Sequence, residues 1–475
     1  MQSAFVAAAF AVALALAVPA SAQTPLTLDE ALRRVSDAHP DLRLIAARAE
    51  ALDAARDIAA LRPATTLETS LENIAGSGDA RGLGGAEFTL GLAFVFEHAN
   101  KRAARTAVID SRIDALAAER EVRRLDLLAE VARRYLDAMA AHWRGTIAQH
   151  DAQQRGNARD AARRRFKAGA APESSALAAE AALARAELAH ASAQLGELNA
   201  VRHLTTLWGE PEPDAALASG EPPALPALEP FDVLLARLDQ SPDLARLADA
   251  HRIADTRLRL AQTDARSDIS WQVGLRRLQD TRDVALVAGL SVPLGTAHRA
   301  EPSIRKARLE RDALEIERES TTRALRATLI EATGRYALAR EEVRRLDADV
   351  LPRLIAATDA AARAYRAGAG DYLDWSQLQS EAIDAHFQRV DATTAGLVAL
   401  IEIQRLAGLP IRFAAADETA STHFPPACSA KPEAGRHQVQ RAGADEDPPC
   451  HVGADARPES TNTIPIGFTA AGENP

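Results

Sequence analysis

The sequence predicts a mainly α-helical protein with a small β part, built from two copies of one unit. Three observations carry this. Ala, Leu, Arg and Glu dominate a chain whose aromatic content is only 4%, the composition of long helices packed through small side chains. A set of landmarks recurs in order at a spacing of about 200 residues. Within each copy the apolar period changes from helical to alternating and back.

The repeat is legible residue by residue. His39-Pro40-Asp41-Leu42 returns as Ser241-Pro242-Asp243-Leu244, Gly91-Leu92 as Gly289-Leu290, and Tyr135 as Tyr336. Phe166-Lys167-Ala168-Gly169 returns as Tyr365-Arg366-Ala367-Gly368, and Gly209-Glu210-Pro211 as Gly408-Leu409-Pro410. The first copy is expected over 23–220 and the second over 221–413, joined by the proline-rich Gly220-Glu221-Pro222-Pro223-Ala224-Leu225-Pro226.

In the first copy Leu28 to Leu61 reads as one helix, stopped by Pro63. Leu67 to Leu71 alternates, the glycine-rich stretch Gly76 to Gly85 follows, and Phe88, Leu90, Leu92, Phe94 and Phe96 alternate again. That is a strand, a loop and a strand. The second copy repeats the pair with Ile269, Trp271, Val273 and Leu275, then Val284, Leu286, Ala288, Leu290 and Val292 before Pro293.

Each strand pair leads into a very long helix, about Arg102 to Phe166 and about Ile304 to Tyr365. At 1.5 Å per residue each would reach ~100 Å if continuous. Leu325, Leu329, Ala332, Tyr336, Ala339, Val343, Leu346 and Val350 make a heptad seam. Leu128, Val131, Tyr135 and Ala138 start the same way, but His142 and Gly145 weaken the continuation. Returning helices are expected over Leu177 to Leu207 and Leu378 to Leu406, so each copy closes as an antiparallel hairpin.

The ends differ from the body. The apolar run Ala4 to Ala17, Pro19 and then Ala20-Ser21-Ala22 before Gln23 read as a cleaved secretory signal over 1–22. Gln23 offers no thiol for lipid attachment. From Ala414 to Pro475 prolines and small polar residues accumulate, the pattern of a disordered tail. It holds both cysteines, Cys428 and Cys450, with His423, His437 and His451. One periplasmic disulfide is the favoured reading there, over metal scavenging.

Several chemistries are excluded. A net charge of −10 argues against a nucleic-acid partner. There is no His-Glu-x-x-His or Cys-x-x-Cys spacing, the loop at Gly76 lacks a Walker lysine, and no nucleophile, base and orienting acid converge. The Ser174-Ser175 pair is read as capping the returning helix. No catalytic residue, cofactor or metal site is expected.

Beyond residue 22 no run of 18 or more apolar residues occurs, so no membrane-spanning helix is expected. A strand such as Phe88 to Phe96 is near the ~9–11 residues that cross a bilayer. Four strands cannot close a barrel, for which about eight are needed. If they span a membrane, several copies must share one barrel, and three copies supply twelve strands.

Leu26-Thr27-Leu28-Asp29-Glu30-Ala31-Leu32 with His39-Pro40-Asp41-Leu42 resembles the entry helix of the outer membrane factors of tripartite efflux pumps, the TolC-like family. Leu71 to Gly78, Ala86 to Leu90 and Lys101 to Arg105, with Gly274 to Arg277, Ala285 to Gly289 and Pro293-Leu294, are similar to its cobalt-zinc-cadmium (CzcC-like) branch. The resemblance covers about 26–412. It implies a homotrimer with a twelve-stranded outer-membrane β-barrel and a periplasmic α-barrel, docked on a periplasmic adaptor and an inner-membrane RND-type transporter. The chain would be a passive export duct for divalent heavy-metal cations. A duct for drugs or secreted polypeptides and a soluble periplasmic coiled-coil scaffold are the alternatives.

The resemblance places the inner end and gate of the duct at the hairpin tips, Phe166, Gly169 and Ser175 in the first copy and Tyr365, Gly368, Gly370, Asp371 and Asp374 in the second. Relatives hold this end shut with a tyrosine, an arginine and aspartates. Tyr365 and Asp374 fit that pattern. Gly370 stands at the arginine position and Ser175 at an acidic one, so the ion-pair lock is largely missing. Asp371 and Asp374, repeated about a threefold axis, could form a cation-favouring ring; capping of a helix is the plainer reading.

Overall fold

The structure is a computed structural model that describes residues 25–78, 81–98, 100–210, 217 and 220–413. The expected signal at 1–22 and the tail from Ala414, with its cysteines and histidines, lie outside the described residues. The unit that holds the described residues runs from Met1 to Asp417.

The first copy comprises α1 (Leu28–Ala38), α2 (Pro40–Ala60), β1 (Thr66–Glu72), β2 (Glu87–Phe96), α3 (Lys101–Lys167) and α4 (Glu173–Thr205). The second comprises α5 (Phe231–Leu238), α6 (Pro242–Asp264), β3 (Ile269–Leu278), β4 (Val284–Ser291), α7 (Thr296–Arg345), α8 (Leu351–Ala367) and α9 (Tyr372–Leu406). The same order of elements therefore occurs twice.

The helix expected over 28–61 is two helices. Pro40 opens α2 at its first position, and the clash of its ring with the preceding residue drives His39 to an extended ψ of 131°. Pro242 opens α6 in the same way. The second long helix also differs from expectation. It begins at Thr296 and carries Pro302 within it, and it widens into a π-helical turn over Leu346–Val350. Pro352 lies two residues beyond its end, with no N–H for a bond to Ala348 and a ring that crowds that carbonyl; a widened turn relieves both.

That turn shifts the heptad seam by one residue. Leu329, Ala332, Tyr336, Ala339, Val343 and Leu346 are buried as expected, but Val350 is 38% exposed and Leu351, at 6%, takes its place. In the first copy the seam does not stop at Ala138. Gly145 is buried on α3, and His142 Nδ1 pairs with Glu197 Oε1 on α4 at 2.8 Å.

The four strands form one antiparallel sheet in the order β1-β2-β3-β4. Each strand continues into a helix, and α2, α3, α6 and α7 pack side by side in the matching order. The hairpin partner α4 runs along α3, and α9 packs against α7, α8 and α3. The main core lies where the two copies meet, with Val131, Leu136, Leu204, Leu329, Leu397 and Ile401 buried.

An extended strap precedes the helices of each copy and is held by a tyrosine. Tyr135 Oη donates to the Leu26 carbonyl at 3.4 Å, and its repeat equivalent Tyr336 donates to the Pro226 carbonyl at 2.6 Å. Trp143 Nε1 adds a bond to the Gly220 carbonyl at 2.7 Å. Gly396 lies close beneath the second strap, where a Cβ would fall 2.6 Å from Leu225 Cδ1.

Candidate functional site

Two regions carry the chemistry of the duct reading: the sheet and the hairpin tips. In the sheet, register pairs Phe88 with Arg277, Leu90 with Leu275, Leu92 with Val273 and Phe94 with Trp271. Leu67 and Leu71 join this face from β1, and Val284, Leu286 and Leu290 from β4. Phe94 and Trp271 stack at 5.1 Å between centroids. The face is open to its surroundings, Leu286 and Leu290 both being 72% exposed.

Because side chains alternate, the opposite face is polar. It presents Glu68, Ser70, Glu72, Glu87, Thr89, Gln272 and Arg276. Arg276 ties it together, with Nη1 2.8 Å from Glu87 Oε2, Nη2 3.5 Å from Glu72 Oε2 and Nε donating to Thr89 Oγ1 at 3.0 Å. Gly91 and Gly274 face each other across β2 and β3. A Cβ on Gly274 would lie 2.7 Å from the Leu90 carbonyl oxygen.

Among the described residues no helix is long and apolar enough to cross a membrane. The outer edges of β1 and β4 have no β partner among the described residues. An apolar sheet face with two open edges is unfinished as it stands, in lipid as in water.

At the first tip α3 ends in a turn. Gly169 adopts φ +68° and its N–H donates to the Phe166 carbonyl at 2.9 Å, while Ala170 donates to the Arg165 carbonyl at 2.8 Å. Gly368 ends α8 likewise, at φ +84°. Gly370, in the turn after α8, lies close to that helix, so that a Cβ would fall 3.2 Å from Ala364 Cβ and from the Tyr365 nitrogen. Asp371 is the N-cap of α9, its Oδ1 accepting from the Tyr372 N–H at 2.6 Å. Asp374 is exposed in the first turn of α9.

One expectation at this end is overturned. α4 begins at Glu173, its N-cap is Pro172 and no side chain caps it. Ser174 and Ser175 already lie inside the helix, which starts at Glu173 directly after the extended Pro172. Ser175 is buried.

Tyr365 is 2% exposed and packs with Tyr372 and Trp375, ring centroids 6.0 and 5.5 Å away. Ala158, Ala161 and Ala162 of α3 and Ala179 of α4 complete this cluster. Tyr365 Oη, Tyr372 Oη, Trp375 Nε1 and Gln379 Oε1 are buried with no protein hydrogen-bond partner. Burial pushes the Tyr365 phenol up, against the opposing effect of the Arg165 guanidinium. Arg165 lies over the Tyr365 ring, 4.7 Å from its centroid. It also donates to the Tyr365 carbonyl at 2.5 Å and to the Ala170 carbonyl at 3.0 Å.

Residues 31–210 match the family model described as outer membrane efflux protein. That stretch is similar to an outer membrane efflux protein domain. The chain is 24% identical over 390 residues to the cobalt-zinc-cadmium resistance protein CzcC of Cupriavidus metallidurans, across 82% of this chain and 92% of that protein. The outer-membrane channel OprN superimposes with a TM-score of 0.66 at 20% identity, covering 81% of this chain and 90% of that one. The Campylobacter jejuni CmeC outer membrane channel superimposes at 0.65 with 15% identity, covering 83% and 90%. The fold is therefore that of these channels, well beyond the stretch matched by the family model.

The expected tip residues fall into two turns, one in each copy. Arg165 joins them, running from the first hairpin to the backbone of the second. Arg165, Tyr372 and Trp375 were absent from the sequence reading of the tip. A signal for the aromatics was available: with only four tyrosines and four tryptophans in the chain, three of the eight stand within eleven positions of one another. No sequence signal paired Arg165 with Tyr365, because they lie 200 residues apart.

Proposed function

We propose that this chain is the outer-membrane channel component of a tripartite RND-type efflux system, a passive duct for divalent heavy-metal cations. The observation that carries the reading is the four-stranded sheet, apolar on one face, polar on the other and unpaired at both edges among the described residues. A membrane β-barrel needs about eight strands or more, so the sheet reaches that form only with other copies, and three copies provide twelve. The helices that continue the strands then extend the duct through the periplasm. The chain catalyses nothing; a transporter in the inner membrane, reached through a periplasmic adaptor, supplies the energy. The choice of cargo is supported by the likeness to a cobalt-zinc-cadmium resistance protein.

The hairpin tips are the inner end of this duct. Phe166, Gly169 and Ser175 form one side, and Tyr365, Gly368, Gly370, Asp371 and Asp374 the other. Arg165 over Tyr365 stands in for the arginine that Gly370 does not provide. The unpartnered Tyr365, Tyr372, Trp375 and Gln379 atoms support a tip that opens, since a buried unmade bond costs about 1–3 kcal/mol that hydration returns. Asp371 is committed to its helix cap, which leaves Asp374 as the carboxylate free to face a cation.

Deletion with complementation tests the function, scored by growth on cobalt, zinc, cadmium, copper and a panel of drugs. Loss of tolerance to the metals is expected. Unchanged metal tolerance with new drug sensitivity would move the cargo to organic compounds. Unaltered ion selectivity in Asp374→Asn channels would remove the carboxylate from the reading.

A further inference from the structure

The helix-side end of the sheet is ringed by unpaired positive charge. Arg62 lies four residues before β1, Arg102 is the second residue of α3 after β2, Arg266 lies three residues before β3, and Arg299 is in the first turn of α7 after β4. There is thus one arginine for each strand. All four are exposed, and none has an ion-pair partner among the described residues.

Two of the carboxylates nearby are occupied, Asp268 by Lys101 at 2.9 Å and Glu97 by Arg105. Asp264 and Glu301 remain against the four arginines, so the end keeps a positive excess. The far end also has exposed arginines without an ion-pair partner among the described residues, Arg81, Arg277 and Arg282, but there Asp280 and Asp283 stand in the same turn and Arg276 is held by Glu72 and Glu87.

Large apolar side chains precede three of the four arginines along the chain. Phe96 closes β2, Leu61 ends the helix before β1, and Leu294, between β4 and α7, is 87% exposed. Apolar side chains that give way to unpaired arginines over one or two turns of chain match the boundary between acyl chains and phosphates in a bilayer.

We propose that Arg62, Arg102, Arg266 and Arg299 bind the phosphates of anionic glycerophospholipid headgroups in the leaflet that ends level with the first helical turns. Arginine suits this partner, because its planar fork meets two phosphate oxygens at once. The collar would set the depth of the sheet in the membrane. The inference rests on the membrane location proposed above.

The test uses the full chain reconstituted into vesicles of phosphatidylglycerol and phosphatidylcholine in equal amounts. The vesicles are floated, then extracted into mild detergent, and the phospholipid retained by the protein is quantified. Phosphatidylglycerol should be retained several-fold over phosphatidylcholine, and the excess should fall with salt. Substituting Arg62, Arg102, Arg266 and Arg299 together by Gln should bring the ratio down to that of the mixture. The corresponding lysine variant should keep most of the excess, which separates lost charge from lost folding. An unchanged ratio in the glutamine variant would overturn the proposal. So would loss of the excess in millimolar inorganic phosphate, which would assign the arginines to a free anion. A parent protein that does not float with the vesicles at all would instead sink the membrane location, and the collar with it.

Discussion

The Arg165 guanidinium lies over the Tyr365 ring at 4.7 Å and bonds the carbonyl of the same residue at 2.5 Å, although the two belong to different hairpins. One side chain thus makes a cation–π contact and a charge-assisted bond to the same partner, and a second bond to Ala170. Arg165→Ala removes all three. In planar bilayers that variant should conduct more than the parent, with Arg165→Lys between them because it keeps the charge without the fork. Equal conductance in all three proteins would show that the contact does not hold the tip.

The strap over α7 provides a stability measurement. Burial pushes the Tyr336 phenol up to about 12, so it stays protonated and donates to the Pro226 carbonyl across the ordinary pH range. Tyr336→Phe should lower stability by about 1 kcal/mol, seen as an earlier loss of helical circular dichroism in detergent. Tyr135→Phe should cost less, since its bond is long at 3.4 Å.

His386 makes stability depend on pH. Burial, and then Arg389 on its own helix and His150 on α3, hold its pKa below the ordinary value, against the pull of Asp347 in the π turn. The unfolded chain, with histidine near 6.5, therefore binds the proton more readily than the folded one. The stabilisation is complete above about pH 6.5 and is lost as pH falls through the depressed folded value. Melting temperature should decline on that acid side, and His386→Gln should flatten the decline there. An identical profile in the variant would assign the dependence to other groups.

The paired glycines of the sheet should differ sharply from Gly289. A Cβ at Gly274 meets backbone, the Leu90 oxygen at 2.7 Å and Gly91 Cα at 2.8 Å, and neither atom can yield without moving a strand. A Cβ at Gly289 meets the flexible Gln272 side chain at 3.1 Å. Gly274→Ala should abolish heat-resistant oligomers on gels, and Gly289→Ala should preserve them.

Much of this architecture was legible because its signals are local. Alternation placed all four strands to within three residues at their ends, since a sheet with one apolar face needs a two-residue period. The seam from Leu329 to Leu346 followed from its spacing. Its continuation to Val350 failed because a π turn inserts one residue, and the cause, Pro352, acts through a carbonyl four residues back. At the tip Asp371 proved to be a cap, as the plainer reading had it, while Ser175 did not cap. The helix starts at Glu173, after an extended Pro172, and so takes both serines into its first turn.

The sequence by itself determined the two copies, their strands and hairpins, and the incompleteness of four strands, because each follows from period, spacing or a count. The tertiary structure alone decided which residues meet across the repeats. Tyr336 was visible as the repeat of Tyr135, but its partner Pro226 lies 110 residues away, and Arg165 reaches Tyr365 from another hairpin. Such contacts depend on how long helices are set side by side in space, which no local pattern encodes.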